Sequence, residues 1–252
     1  MLRMSRAAKS TLKAPTDRDG NLIQNEILVR LPASESELLL SKLEFLKLKS
    51  HQLLHEAGQS IKSVYFVNAG LASVLSVMSD GRSVEVGLIG KEGFAGLGVI
   101  AGFRRSSTRV VAQTDSTCFR LDAAVLTGVL RNCPQLSRGL QRFSQIYAVQ
   151  LAQISACNRL HRVDQRFARW LLMSHDRIGA KLLPLTQDFL AQMLGTRRSS
   201  VTLAAGRLQK AGTISYTRGN VTVLDRAALE KCACECYRLI GHYLEETPSS
   251  VR

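Results

Sequence analysis

Residues 185–225, LTQDFLAQMLGTRRSSVTLAAGRLQKAGTISYTRGNVTVLD, decide how this chain is read. Thr186 is placed to cap a first helix whose buried stripe is Phe189, Leu190, Met193 and Leu194, and Gly195 ends it. Thr196 or Arg197 opens a second helix with Val201, Ala204, Ala205 and Leu208 inward, closed by Gly212. The outward groups of its first turns are Arg197, Arg198, Ser199, Ser200, Thr202 and Leu203. Short hydrogen-bonding side chains beside two guanidinium forks suit base edges and phosphates. Residues 213–216 and 221–224 then flank Arg218-Gly219-Asn220 as a two-stranded wing with a tight turn. Lys181, Arg197, Arg198, Arg207, Lys210, Arg218 and Arg226 face only Asp188 and Asp225 in this region, the electrostatic footprint of a duplex binder. Two amphipathic helices with solvated arginines also describe an ordinary helical hairpin. The wing and the basic bias tip the reading towards double-stranded DNA.

The whole chain of 252 residues carries a net charge of +14 with 45% hydrophobic residues, enough for one large or two modest cores and a polyanionic partner. No run of about eighteen apolar residues exists, so no membrane span is expected. The basic, polar stretch 1–20 lacks a signal peptide's apolar core, and the six unevenly spaced cysteines read as reduced thiols. A cytoplasmic location is expected.

Residues 1–24 read as a flexible basic arm with Arg3, Arg6, Lys9 and Lys13. Order is expected from Asn25, followed by a helix capped by Ser34 or Ser36 with Leu38, Leu39, Leu43 and Leu46 on its stripe. Between 47 and 122, apolar or alternating runs at 63–67, 71–78, 83–89, 107–111 and 117–121 are punctuated by glycine turns, Asp80-Gly81 being a strong hairpin signal. An antiparallel barrel or sandwich follows, able to enclose a small ligand. Pro134 then suits a first helical position, and Leu136, Leu140, Phe143, Tyr147, Leu151 and Ile154 recur at coiled-coil spacing. A stripe this long predicts a homodimer seam. The expected organisation is therefore α+β: arm 1–24, an antiparallel, jelly-roll-like β-roll over 25–132, a dimerisation helix over 133–160, a winged helix-turn-helix over 161–240 and a tail over 241–252. Trp170, the sole tryptophan, reads as a core anchor.

This order resembles the Crp/Fnr family of bacterial transcription regulators over about 26–225. The motifs that carry the resemblance are Leu185-Thr186-Gln187 leading to Met193-Leu194-Gly195, Arg198-Ser199-Ser200-Val201, and Asp80-Gly81 with Gly93-Phe94 in the roll. It implies that Arg198, Ser199, Thr202 and Leu203 read base edges, while Thr186, Gln187, Arg197, Ser200, Lys210 and the wing's Arg218 lie near phosphates. Ser199 stands where the family's best-known pattern has a glutamate, and Leu203 where it has an arginine, so a different operator is expected. The resemblance likewise places an effector at Gly96, Leu97, Arg105, Ser106 and Ser107. Members that bind cyclic nucleotides resemble one another in a Phe-Gly-Glu-Leu turn; here Phe94-Ala95-Gly96-Leu97 lacks the carboxylate that takes the ribose, a loss of roughly 1–3 kcal/mol. The cofactor or effector is thus unknown: the roll is expected to bind a small molecule other than cyclic AMP, or none, with a cyclic-nucleotide-responsive regulator as the alternative. RNA polymerase is the further partner the family suggests.

No cysteine precedes Cys118, which argues against an amino-terminal iron–sulfur cluster. Cys232, Cys234 and Cys236 would splay to different faces of a helix, with only His242 near as a fourth donor, so no metal is expected. His51, His55, His161 and His175 share no spacing. Neither a P-loop nor a nucleophile elbow, a zinc-protease motif or a dinucleotide fingerprint is present, so no enzyme is expected. A charge-only architectural DNA binder remains the other reading.

Overall fold

In the computed structural model, which describes residues 15–179 and 182–245, a turn at Asp17–Asn21 comes first and the chain then packs earlier than the sequence suggested: Ile23 is buried, and Asn68 accepts from the backbone of Gln24 and Asn25. The expected arm is thus structured from residue 15; its basic residues 3–13 lie outside the described residues. Helices α1 (Glu26–Val29) and α2 (Ala33–Leu40) precede strands β1 (Glu44–Leu48), β2 (Leu53–His55), β3 (Ser63–Ala69), β4 (Ala72–Val77), β5 (Ser83–Ile89), β6 (Phe94–Ala95), β7 (Arg109–Ala112) and β8 (Ser116–Asp122). Then come α3 (Ala123–Val129), α4 (Pro134–Leu160), α5 (Val163–Ile178), β9 (Leu182–Pro184), α6 (Gln187–Met193), α7 (Arg198–Lys210), β10 (Ile214–Thr217), β11 (Asn220–Val223), α8 (Arg226–Cys232) and α9 (Cys236–Glu245).

Two four-stranded antiparallel sheets, β1-β8-β3-β6 and β2-β7-β4-β5, form the roll. The helix expected to run through Leu46 stops at Leu40: Leu38 is exposed, and Leu46 sits in β1 opposite Cys118. Pairing across some seventy residues, with Phe45 and Phe119 rings 5.4 Å apart, overrides local helical spacing. The hairpin at Asp80-Gly81 forms between β4 and β5, Gly81 having φ +83°.

Helix α4 starts at Pro134 as expected, and its first amides are satisfied from far away: the buried Glu35 carboxylate accepts from Gln135 and Leu136 N–H at 2.9 and 2.8 Å. Its apolar stripe does not wait for a partner. Leu136, Leu140, Phe143, Tyr147 and Ile154 are buried within the chain itself, and Leu151 is half-buried. The roll is shaped for this: a Cβ on Gly93 would lie 2.0 Å from the Phe143 ring, and one on Gly87 2.5 Å from the Tyr147 hydroxyl. The assignment of this stripe to a dimer seam is therefore corrected, since a stripe of that spacing fits a β-sheet as readily as a second helix.

The carboxy-terminal module packs on the roll through β4 and β5. Leu71, Leu75 and Leu88 share one core with Phe167, Trp170, Leu171, Leu190 and Val201. Three polar links cross the same boundary. Trp170 Nε1 donates to Glu85 Oε1 at 2.6 Å, Arg177 Nε to Glu92 at 2.7 Å, and Gln192 Nε2 to Ser83 Oγ at 2.7 Å. Helix α9 runs to Glu245, so the first part of the expected tail 241–252 is helical and its apolar side is anchored by Ile240.

Candidate nucleic-acid interface and effector cavity

The short module from α6 to β11 assembles as its sequence demands. Thr186 Oγ1 accepts from Phe189 N–H at 3.2 Å and caps α6. Gly195, at φ +57°, turns the chain into α7, whose Val201, Ala204, Ala205 and Leu208 are buried; Arg197 is the N-cap residue. Gly212, at φ +69°, follows the helix end. In the wing, Arg218 and Gly219 both take positive φ, 50° and 77°, the signature of a two-residue type I′ hairpin, with Thr217 opposite Asn220. A third strand unforeseen from sequence, β9, pairs with β11.

Thr186, Gln187, Arg198, Thr202 and Arg218 gather around one open groove between α6, α7 and the wing, of about 660 Å³. Gln187 Oε1 accepts from Thr202 Oγ1 at 3.0 Å and from Arg198 Nε at 3.4 Å, while Asp188 lies 3.6 Å from the same guanidinium. These are exposed contacts, worth little in water and readily exchanged for a base edge or phosphate. Ser199 and Leu203 point to solvent beside them, Leu203 being 66% exposed. Arg197 and Ser200 lie elsewhere. They line a separate cleft with Met78, Arg82 and Ser83 of the β4–β5 hairpin, where Ser200 is half-buried. Lys210 closes α7 and does not line the groove, although Gln209 beside it does. Two further cations are neutralised from outside the 185–225 stretch: Arg207 reaches Asp164 at 3.4 Å, and Arg226 reaches Asp176 and Glu230 at 2.7 and 3.1 Å. Lys181 lies outside the described residues.

In the roll, Gly96, Leu97, Arg105, Ser106 and Ser107 all line one cavity of about 340 Å³, within the range of small-molecule sites. Arg105 Nη1 donates to Gly58 O at 2.8 Å, and Ser106 Oγ to Thr108 O at 2.7 Å. Sequence reasoning missed the rest of the wall: His55, Phe103, and from α4 Tyr147 and Leu151. Burial holds the His55 imidazole below its ordinary range, against the contact of Nε2 with Ser63 O at 2.9 Å. Burial also raises the Tyr147 phenol, whose hydroxyl has no hydrogen-bond partner among the described residues. Among the described residues the lining carries one guanidinium and no carboxylate.

The thiols form a further constellation. Residues Ala233–Glu235 interrupt the helix between α8 and α9, so Cys234 and Cys236 do not splay. Both are buried against Cys157 and the adjacent His161 at the end of α4, and one donor atom from each of the four lies within 4.8 Å of every other. His242 is exposed and Cys232 stands apart at the end of α8. The expectation of no metal-ligating set is corrected here. The Cys157–His161 spacing of four on one helix was the available signal.

The cyclic nucleotide-binding domain family matches residues 45–133, and the Crp-like helix-turn-helix domain family matches residues 165–232. No curated protein matches the chain in sequence. Among solved structures, a transcriptional regulator of the Crp/Fnr family from Eubacterium rectale is similar at 18% identity, with 82% of this chain and 97% of that one covered and a TM-score of 0.66. The c-di-GMP-responsive global regulator CLP of Xanthomonas campestris superimposes at 16% identity over 76% of this chain and 99% of its own, with a TM-score of 0.64. A Crp/Fnr-family regulator of Thermus thermophilus is 26% identical over 75% and 98% of the two chains, at a TM-score of 0.57. Neither matched domain family is a catalytic one. Among the described residues, no helix is long and apolar enough to cross a membrane. With the roll and the helix-turn-helix each matched and the same fold in those structures, the chain belongs to the Crp/Fnr family of DNA-binding transcriptional regulators.

Proposed function

We propose that the chain works in the cytoplasm as a homodimeric, sequence-reading regulator, whose roll binds a small effector other than cyclic AMP. The observation that carries the reading is the groove beside the wing in which the exposed Arg198 and Thr202 are both hydrogen-bonded to the half-buried Gln187. Arg198 offers a guanine a bidentate contact, Leu203 offers a thymine methyl an apolar one, and Arg218 is placed for a phosphate. Ser199 stands at the same surface, whereas Arg197, Ser200 and Lys210 would reach backbone only beyond the groove.

A second copy would lie on the face of α4 that the roll leaves free. Arg138, Gln141, Gln145, Ala148, Ala152 and Ser155 are exposed and recur at spacings of three and four, and the small side chains at 148 and 152 allow close approach of another helix. Two recognition helices held about 34 Å apart then read a palindrome. For the effector, a cavity with Arg105 as its one cation and an otherwise largely apolar lining favours a small, mainly apolar anion over a ribose-bearing nucleotide. Contact with RNA polymerase belongs to the same reading.

Selection of bound fragments from a random duplex pool, with and without cell extract, is the test. Enrichment of a palindrome is expected, strengthened by extract. Uniform retention of all sequences would instead identify the architectural, charge-only binder, which is the second reading that the +14 net charge favours.

A further inference from the structure

We propose that Cys157, His161, Cys234 and Cys236 bind one soft divalent cation, zinc by the nature of the ligands, which fastens the α8–α9 junction to the end of the long helix. Three thiols and an imidazole from two segments separated by more than seventy residues converge with Cys157 Sγ 3.5 Å from Cys234 Sγ and Cys236 Sγ 3.5 Å from His161 Nδ1. Tetrahedral zinc–thiolate geometry, with bonds near 2.3 Å, has edges of about 3.8 Å. Two of the donor pairs are therefore already close to a tetrahedral edge, and no pair is more than 4.8 Å apart.

The surroundings match a metal rather than a thiol cluster. Nε2 of His161 contacts the Glu235 carboxylate at 3.2 Å, which leaves Nδ1 facing the sulfurs: a carboxylate–histidine pair that fixes the ring and the tautomer of a ligating imidazole. Gln153 Nε2 donates to Cys236 Sγ at 3.1 Å. Two buried guanidiniums, Arg166 and Arg169, have no carboxylate partner among the described residues. Their other contacts are Leu194 O and Met173 Sδ, and the Nε of each is unsatisfied. Their electrostatic neighbours are Cys157 and Cys234, and for Arg169 also the carboxyl of Glu85, which burial pushes up to about 7. A divalent ion with three thiolates and one neutral imidazole carries a net charge of −1, which supplies the anion these cations lack. Binding displaces the three thiol protons to solvent and involves no electron transfer. Because α4 ends at Leu160 and α5 starts at Val163, the ion would bridge the hinge between the long helix and the DNA-binding module.

The test uses the full chain, reduced and stripped of metal, titrated with cobalt(II) and then zinc. The expected result is one equivalent of cobalt, with visible bands of tetrahedral intensity and a thiolate charge-transfer band, both abolished by zinc. Cys157→Ser and Cys236→Ser should each remove a thiolate and lower the affinity at least tenfold, whereas Cys232→Ser leaves it unchanged. Glu235→Gln, an exposed change that spares the fold, should weaken binding by about 10–100-fold. Zinc should also slow amide exchange at residues 233–236. Failure to bind cobalt, a six-coordinate spectrum, or unchanged affinity in both Cys157→Ser and Glu235→Gln overturns the proposal, as does recovery of a Cys157–Cys234 disulfide in place of metal from cells. Every readout is made without DNA, so its failure leaves the regulator reading untouched.

Discussion

Glu85→Gln tests the boundary between the roll and the DNA-binding module most directly. Glu85 lies on β5 with 4% of its surface exposed; Trp170 Nε1 donates to Oε1 at 2.6 Å, and the Ser73 hydroxyl lies near the carboxyl. Burial pushes its carboxyl from 4.5 up to about 7, with the Ser73 hydroxyl, the Trp170 bond and the Arg169 and Arg177 charges pulling the other way. A rise of that size corresponds to about 3 kcal/mol. The sign follows from proton binding. Below pH 4.5 both the folded and the unfolded chain hold the proton and nothing is lost. As pH climbs through the window from 4.5 to about 7, the unfolded chain ionises while the folded one does not, so stability falls; above that window the full cost is present. Glutamine keeps an acceptor for the indole and stays neutral at every pH.

The variant should therefore match the wild type near pH 4 and exceed it by up to about 3 kcal/mol near pH 8, with the slope between them flattened. Urea unfolding followed by tryptophan fluorescence measures this at the site itself, because Trp170 is the only tryptophan in the chain. A Glu85→Gln protein less stable than wild type at pH 8 would refute the reasoning: it would mean that Arg169 and Arg177 hold the carboxylate ionised and that the charge contributes to the interface.

The other perturbations read the two sites and the link between them. Arg198→Ala should cost about 1–3 kcal/mol on the selected operator and relax preference at one guanine per half-site, whereas Arg218→Ala should weaken all duplexes alike and lower the salt slope by about one; equal effects of the two in a competition assay would remove the distinction. Tyr147→Phe deletes a buried hydroxyl without a partner, so the unliganded chain should gain about 1 kcal/mol in urea unfolding while its response to effector-containing extract weakens; a loss of stability would reveal a structural partner. Arg177→Met leaves Glu92 uncompensated where the pair is 2.7 Å apart and only 6% and 14% exposed, and breaking it should cost about 3–5 kcal/mol by calorimetry, a loss under 1 kcal/mol showing that water reaches Glu92.

What was legible in the sequence was whatever local chemistry determines. Thr186, Gly195 and Gly212 marked the ends of α6 and α7, and Arg218-Gly219 marked the wing turn, because caps and positive φ act within a few residues. The five cavity residues 96, 97 and 105–107 were reachable through the family resemblance, and they do share one wall. What was illegible is what distance decides. The α4 stripe looks the same whether a sheet or a helix covers it, and only Gly87 and Gly93, two close approaches from the roll, settle that it is a sheet. Arg207 and Arg226 counted as free charge until Asp164 and Asp176 arrived from α5. Cys234 and Cys236 had no partners until the break at Ala233–Glu235 turned them towards Cys157, seventy-seven residues from Cys234 in the chain.

These corrections converge on α4, and they change what that helix does. Its buried face touches everything the regulator must couple. Tyr147 and Leu151 close the cavity; Gln150, buried between them, donates to Leu88 O at 3.0 Å and accepts from Arg177 Nη2 at 3.4 Å; Arg177 in turn holds Glu92. Cys157 and His161 follow about two to three turns later, about 10–16 Å along the axis from Gln150. A ligand that takes the unpartnered Tyr147 hydroxyl therefore acts one residue row from the bridge that sets α5, with no need for a relay through the sheets. The size of any switch is bounded by the ligand's preference between two arrangements of this helix: reversing a hundredfold bias needs about 5.5 kcal/mol of differential affinity. Contacts of the kind found here, one hydroxyl and one guanidinium in a cavity of about 340 Å³, supply only part of that. The resting balance must then already be close, and substitutions in the Gln150–Arg177–Glu92 bridge should shift DNA affinity even when no effector is present.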